Sequence, residues 1–467
     1  MSFFFNLSRF SKQTILLFVF TQLLLQNPVN GQEKYFLTME EALNRALLDN
    51  SVVKSSKYSL EKAGWDSKNA WAQFIPSVSF NSRYMWIDEQ SYAERDFRRY
   101  LPPDLANQFP QTVFQNSYFT SFDVTATLFN ASIVNGIFIS RENETAAEYN
   151  NKSVRQKTIL DVISAYLNLR KSLELSALEK QFLELSELNY QKAERLFEAE
   201  RYSKNEVLRW KIEYQRKKSD VVNSESYSRT GKSALNKLIN FDLFTDLELD
   251  TEIPPKLISE SERITRLSDE EILNIITLND KELISSNSAL AASQSGKDIS
   301  QMLYNDSYYR YLPNLSASYS YAWRENNTIA LDDYSPQTLM LNLNIPIFTG
   351  FKNITNLQSN YFEYKKTEEN FNEQLLGTRF LLSEAVNKIL NYKTLIELSK
   401  TSEEFSESNY DVVSTRREKG LVSNIEFIDA SLNLQSAKLN RVNLQYDFLT
   451  SIVELYYLLG KVEELVN

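Results

Sequence analysis

The sequence predicts a mixed architecture of two structural repeats, each joining two membrane-type β-strands to long coiled-coil helices. Three observations carry this prediction. Segments recur in the same order along the chain, two short stretches per copy alternate apolar with polar residues, and two long spans contain no proline and only one glycine, Gly377.

The 467 residues include no cysteine and no histidine, which removes disulfides, thiol catalysis, Cys/His metal sites and histidine-based triads. Only 9 glycines and 10 prolines occur. Average usage would give roughly 33 and 23, so few tight turns and long helices are expected. A net charge of −10 argues against nucleic-acid binding. No cofactor and no metal is expected.

Residues 1–31 read as a signal peptide. Arg9 and Lys12 precede the apolar run Thr14 to Leu25, and Asn27-Pro28-Val29-Asn30-Gly31 leads to a cut near Gln32. No later stretch reaches the length of a transmembrane helix, so any crossing of a membrane must use strands.

The first repeat occupies 32–253 and the second 254–467. Leu37-Thr38-Met39-Glu40-Glu41-Ala42-Leu43-Asn44 recurs as Leu267-Ser268-Asp269-Glu270-Glu271-Ile272-Leu273-Asn274. Pro76-Ser77-Val78-Ser79 matches Pro313-Asn314-Leu315-Ser316, and Tyr84 and Trp86 fall on Tyr321 and Trp323. Ser186-Glu187-Leu188-Asn189-Tyr190 matches Ser406-Glu407-Ser408-Asn409-Tyr410 at a shorter spacing, which puts a longer loop after Trp86 in the first copy. Pro254-Pro255 marks the linker.

Strands are expected at about 76–88, 117–130, 313–324 and 337–348. Val78, Phe80, Tyr84 and Trp86 alternate with polar neighbours, as do Leu315, Ala317, Tyr319, Tyr321 and Trp323. Period two with one apolar face describes a half-buried strand, and an ordinary antiparallel sheet would satisfy it. Strand length and aromatics gathered at one strand end favour a lipid-facing girdle.

Long helices are expected at about 139–200 and 352–418, with return helices at 204–240 and 424–460. At 1.5 Å per residue the first of each pair reaches ~90–100 Å. The last helix carries a heptad stripe of Ile425, Ile428, Leu432, Leu439, Val442, Tyr446, Leu449, Val453 and Tyr456, with Gln435 its one polar member.

In this order the parts resemble the TolC-like outer membrane efflux protein family over nearly all of the mature chain. Arg417-Glu418-Lys419-Gly420-Leu421-Val422-Ser423-Asn424-Ile425-Glu426-Phe427-Ile428-Asp429-Ala430 is similar to the family's hairpin tip. Asn344-Ile345-Pro346-Ile347-Phe348-Thr349-Gly350 is similar to its strand-end turn. The first copy departs from these motifs, with Thr127 for the strand-end proline, Ala131 for the glycine and Glu200 at the tip. Those turns are expected to differ in shape.

The resemblance implies a homotrimer whose chains share a 12-stranded barrel in the outer membrane of a Gram-negative bacterium, continued by a periplasmic helical tunnel. It implies a passive, non-enzymatic conduit of a tripartite efflux or type I secretion system. The implied partners are a periplasmic adaptor (membrane fusion) protein, an inner-membrane transporter and outer-membrane lipid. It places adaptor docking at Arg201, Tyr202, Ser203, Glu206, Gly420, Leu421, Val422 and Ser423, and a pore constriction at Glu426 and Asp429. Those two carboxylates are three residues apart and share a helix face; helix-start charges opposing the macrodipole would look the same.

Other chemistry-like signals are weaker. Ser226-Tyr227-Ser228-Arg229-Thr230-Gly231-Lys232-Ser233 ends like a P-loop but lacks the first glycine and the preceding strand. Glu40/Glu41 and Asp332/Asp333 are adjacent acids with no pocket implied. A secreted structural or adhesive coiled-coil protein would not need aromatic-ended strands at equivalent repeat positions. A periplasmic enzyme would need a convergent polar site, and none is visible.

Overall fold

A computed structural model describes residues 34–250, 252–325 and 336–466. The expected signal peptide and the Asp332/Asp333 pair lie outside the described residues.

The first repeat runs β1 (Tyr35–Leu37), α1 (Met39–Asp49), α2 (Ser51–Ala72), β2 (Ser77–Trp86), α3 (Glu89–Arg95), α4 (Pro103–Ala106), β3 (Asn116–Asn130), α5 (Ala131–Glu198), α6 (Lys204–Leu238) and β4 (Leu247–Leu249). The second runs α7 (Pro255–Arg266), α8 (Asp269–Asn274), α9 (Asp280–Ser286), α10 (Ser288–Tyr309), β5 (Asn314–Glu325), β6 (Gln337–Asn344), α11 (Lys352–Glu418) and α12 (Asn424–Leu458).

The recurring Leu-Thr/Ser-x-Glu-Glu segment has a local cause. Thr38 accepts from the Glu41 amide to start α1, and Ser268 forms a reciprocal capping box with Glu271 to start α8. The 68-residue α5 starts at Ala131, eight residues before the expected Ile139. Asn130 accepts from the Ser132 and Ile133 amides, so the helix begins directly off the strand. The last strand ends at Asn344 rather than 348, because Pro346 has no N–H for the ladder. The final helix stops at Leu458, two residues before Gly460.

Strands β2, β3, β5 and β6 form one antiparallel sheet in that order, and β1 pairs in parallel with β4. The helices repeat the sheet's order. Nearer the sheet, α2 packs on α5, α5 on α10 and α10 on α11; farther away, α6 packs on α5, α5 on α12 and α12 on α11. The chain is therefore four lanes wide, and β2 with α2 and α6 form one edge. Strand β6 with α11 forms the other.

Two asparagines splice the shorter helices of the lanes end to end. Asn50 Nδ2 donates to Leu238 O at the end of α6 (2.9 Å), while its Oδ1 accepts from the Val52 amide at the start of α2. Asn287 Nδ2 donates to Leu458 O at the end of α12 (2.9 Å), while its Oδ1 accepts from the Ala289 and Leu290 amides of α10. One side chain thus satisfies orphan groups of two helix ends. Gly460 completes the second joint at φ +72°, where a Cβ would lie 2.0 Å from Ser286 O. We expect Asn287→Ala to cost about 0.5–2 kcal/mol, the usual range for a lost N-cap. Faster amide exchange confined to the end of α12 and the start of α10 would locate the loss; uniform loosening would place it elsewhere.

The main core lies around this joint. Ile163, Tyr166 and Leu167 of α5 meet Val386 and Ile389 of α11, Ile452 and Val453 of α12, and Leu37 and Leu247 of the parallel pair, all buried. At ~100 Å, α5 extends well beyond this core in both directions.

Candidate functional site

The sheet carries the first candidate surface. Its register aligns Val78, Val124, Tyr319 and Leu339 across four strands, and Phe80, Phe122 and Tyr321 beside them. Tyr84 opposes Tyr118, and Trp86 ends the row; Leu315 pairs with Leu343, and Trp323 opposes Thr120. The expected girdle residues therefore share one face. That face is open: Val78 is 68% exposed, Phe80 60% and Leu341 67%. Phe80 and Phe122 pack as a tilted pair at 5.0 Å, and Phe122 meets Trp323 edge-on at 5.9 Å. A contiguous apolar surface of this kind marks a membrane or partner contact.

The opposite face is polar. Asp123 accepts from Asn81 of β2 and Ser121 of β3 (both 2.7 Å), and from Ser320 of β5 (2.5 Å). One carboxylate thus ties three strands together on the side away from the aromatic rows. Sequence alternation pointed to the two faces but not to this clamp.

The second candidate surface is the end farthest from the sheet, where α5 turns into α6 and α11 into α12. The two turns have the same shape, contrary to the difference expected from their sequences. Glu200 (φ 56°) takes the left-handed position that Gly420 (φ 71°) takes in the second copy. Arg201 N donates to Leu196 O, as Leu421 N does to Arg416 O. The strand-end turns do differ: β3 passes straight into α5, whereas β6 reaches α11 through Gly350 and Phe351, both left-handed.

Between the tips, Ala193, Trp210, Val413, Phe427 and Ala430 bury a small core drawn from all four helices. Arg417 lies 4.0 Å from the Phe427 ring centroid and 4.8 Å from that of Trp210, and donates to Asn189 Oδ1 (2.9 Å). Tyr202 Oη donates to Asn424 Oδ1 (3.0 Å), and Asn424 Nδ2 donates to Glu206 Oε1 (2.8 Å). The two hairpins of one chain are bonded to each other.

This geometry divides the eight expected docking residues. Arg201, Gly420 and Leu421 are exposed, while Tyr202 and Val422 pack against the small core. Ser203 and Ser423 cap α6 and α12. Glu206 is engaged by the Ser203 amide, its hydroxyl and Asn424, and the amide bond foremost holds its carboxyl below the usual glutamate range. Tyr202, Glu206 and Val422 therefore help hold the two hairpins of the tip together, each remaining partly exposed. The heptad stripe also shifts here: Ile425 is exposed and Phe427 and Ala430 are buried instead, because α12 turns toward Trp210. Sequence reasoning placed Arg417 in the tip motif without its partners and missed Trp210, because both roles depend on bringing the two copies together.

Glu426 and Asp429 are exposed on one face of α12, in a polar stripe continued by Asn433, Ser436 and Asn440. Ser423 caps the Glu426 amide without a returning bond from its carboxylate, unlike the closed box of Ser203 and Glu206. Among the described residues neither carboxylate has a hydrogen bond or ion pair in the fold. The P-loop-like segment Ser226–Ser233 lies inside α6 and forms no loop. Among the described residues no acidic cluster could hold a metal, and no helix is long and apolar enough to cross a membrane.

Both edges of the helical layer expose apolar seams. Leu208, Ile212 and Val222 line the outer face of α6; Leu398, Phe405 and Val412, seven residues apart, line that of α11. The seams occupy comparable heights above the tip.

Residues 281–461 match the outer membrane efflux protein family. No curated protein sequence matches the chain. Among solved structures, the CmeC outer membrane channel of Campylobacter jejuni is similar at TM-score 0.76 and 15% identity, covering 91% of this chain and 86% of that one. The outer membrane protein VceC of Vibrio cholerae gives 0.75 and 14%, covering 90% and 96%. The open state of the MtrE outer membrane channel of Neisseria gonorrhoeae gives 0.73 and 14%, covering 91% and 89%.

Proposed function

We infer that this chain, a TolC-like outer membrane efflux protein, is a passive outer-membrane duct for substrate export, set in the envelope of a Gram-negative bacterium with its helices in the periplasm. The observation that carries the assembly is the shared lane order of sheet and helices. Within one chain β2 and β6 each have one edge without a neighbouring strand, and lipid does not tolerate such edges. It also leaves the seams of α6 and α11 uncovered at the same two edges. A head-to-tail ring satisfies both at once, with the α11 edge of each protomer against the α6 edge of the next.

Four strands are too few to close a barrel, since known ones start at about eight. The family resemblance favours three chains and 12 strands. The apolar sheet face then meets lipid, the Asp123 face lines the lumen, and the helices enclose a tunnel narrowing toward the tips. Energy and substrate choice come from an inner-membrane transporter, reached through a periplasmic adaptor at the exposed tip residues Arg201 and Leu421.

The natural chain has no cysteine, so crosslinks can be assigned to engineered sites. With Ile212→Cys and Val412→Cys in one chain, oxidation should give covalent trimers in denaturing gels. Bonds formed only within one chain, or an open-ended ladder, would refute the closed ring. A single cysteine at Arg201 or Leu421 should crosslink to the adaptor, whereas one at Phe80 should not. The reverse pattern would invert the proposed orientation.

A further inference from the structure

The tip core contains two buried polar atoms that are complementary and unmatched. Among the described residues, Trp210 Nε1, a donor on α6, and Gln435 Oε1, an acceptor on α12, have no hydrogen-bond partner. Their residues are 3% and 6% exposed. Both line one cavity of about 10 Å³, whose wall also includes Ser186 and Asn189 of α5 and Ser431 of α12. An indole N–H can only donate, and leaving it buried and unpaired costs about 1–3 kcal/mol. A polar cavity of roughly 10–15 Å³ is large enough for one water, whereas cavities that stay empty are apolar.

We propose that this cavity is a binding site for a single structural water that joins the two hairpins of one chain. The water accepts from Trp210 Nε1 and donates to Gln435 Oε1. Ser186 and Asn189 on the α5 side of the wall supply further polar groups for its second proton. Gln435 Nε2 donates to Ser431 Oγ (3.2 Å), which leaves the amide oxygen available to the water. This explains the one polar member of the α12 stripe: the side chain at Gln435 contacts the other copy through water. A polar group at such a seam position fixes register at a cost in stability. The site lies inside one protomer, so it stands whether or not the chains assemble as inferred above.

The test is a density map of the full-length protein at a resolution that shows buried waters. One peak should lie within hydrogen-bond distance of both Trp210 Nε1 and Gln435 Oε1, and it should vanish in Gln435→Met. A direct bond between the two side chains, or no peak, overturns the proposal. Indole ¹⁵N–¹H spectra give a second reading, because the chain has only 5 tryptophans. The Trp210 signal, assigned by its loss in Trp210→Phe, should show slow exchange and a cross-peak to water that disappears in Gln435→Met. A cross-peak unchanged by Gln435→Met would show that the water does not use Gln435.

Discussion

Arginine in place of Phe80 should lower the stability of the assembled barrel by ~2–4 kcal/mol, the cost of a cationic side chain near the lipid midplane. Phe80 lies in the apolar row on β2, packed against Phe122 and aligned with Tyr321 through β3. The same substitution at Ser79 should cost far less. Ser79 opposes Asp123 on the polar face, where an added cation would meet water and a carboxylate. Ala317 and Ser316 provide the same comparison in the second repeat, adjacent in sequence but on opposite faces of the sheet. Heat- and denaturant-resistance of trimers from an outer-membrane fraction would measure the difference. Equal damage at Phe80 and Ser79 would mean that neither face meets lipid.

Much of this comparison could be read from sequence, because the period-two pattern is written in single residues. The long helices were equally legible, since the absence of proline and the near-absence of glycine in 352–418 is a local property. The joints were not. Asn50 and Asn287 lie at equivalent repeat positions, but their roles as double caps need the ends of α6 and α12 beside them. The tip was misread for a similar reason. Glu200 looked like a departure from Gly420, yet a single residue in the left-handed region costs only about 1–2 kcal/mol, which the surrounding hairpin absorbs. The bonds of Tyr202 and Glu206 to Asn424 could not be read locally either, because Asn424 is far away along the chain.

Glu426 and Asp429 raise the gate question, and the structure sharpens the comparison. In a threefold ring these exposed residues would set six carboxylates around the narrow end of the tunnel. Like charges at close range resist ionisation together, and a bound cation relieves the repulsion. Rings of this kind make pores cation-selective. The purified trimer in a planar bilayer should therefore conduct poorly, prefer cations, and be blocked by divalent or trivalent cations from the periplasmic side. Changing both residues to alanine should weaken that block at least tenfold, ~1.4 kcal/mol of lost binding, and reduce cation preference. Assembly should survive, because the Glu426 carboxylate closes no capping box and Ser423 still caps α12. Glu206→Ala is the informative control. It removes the carboxylate bonded to Ser203 and Asn424, so it should loosen the contact between hairpins and leave selectivity unchanged. If the double alanine variant keeps wild-type block while Glu206→Ala alters it, the constriction lies at the joined hairpins, and Glu426 and Asp429 only complement the start of their helix.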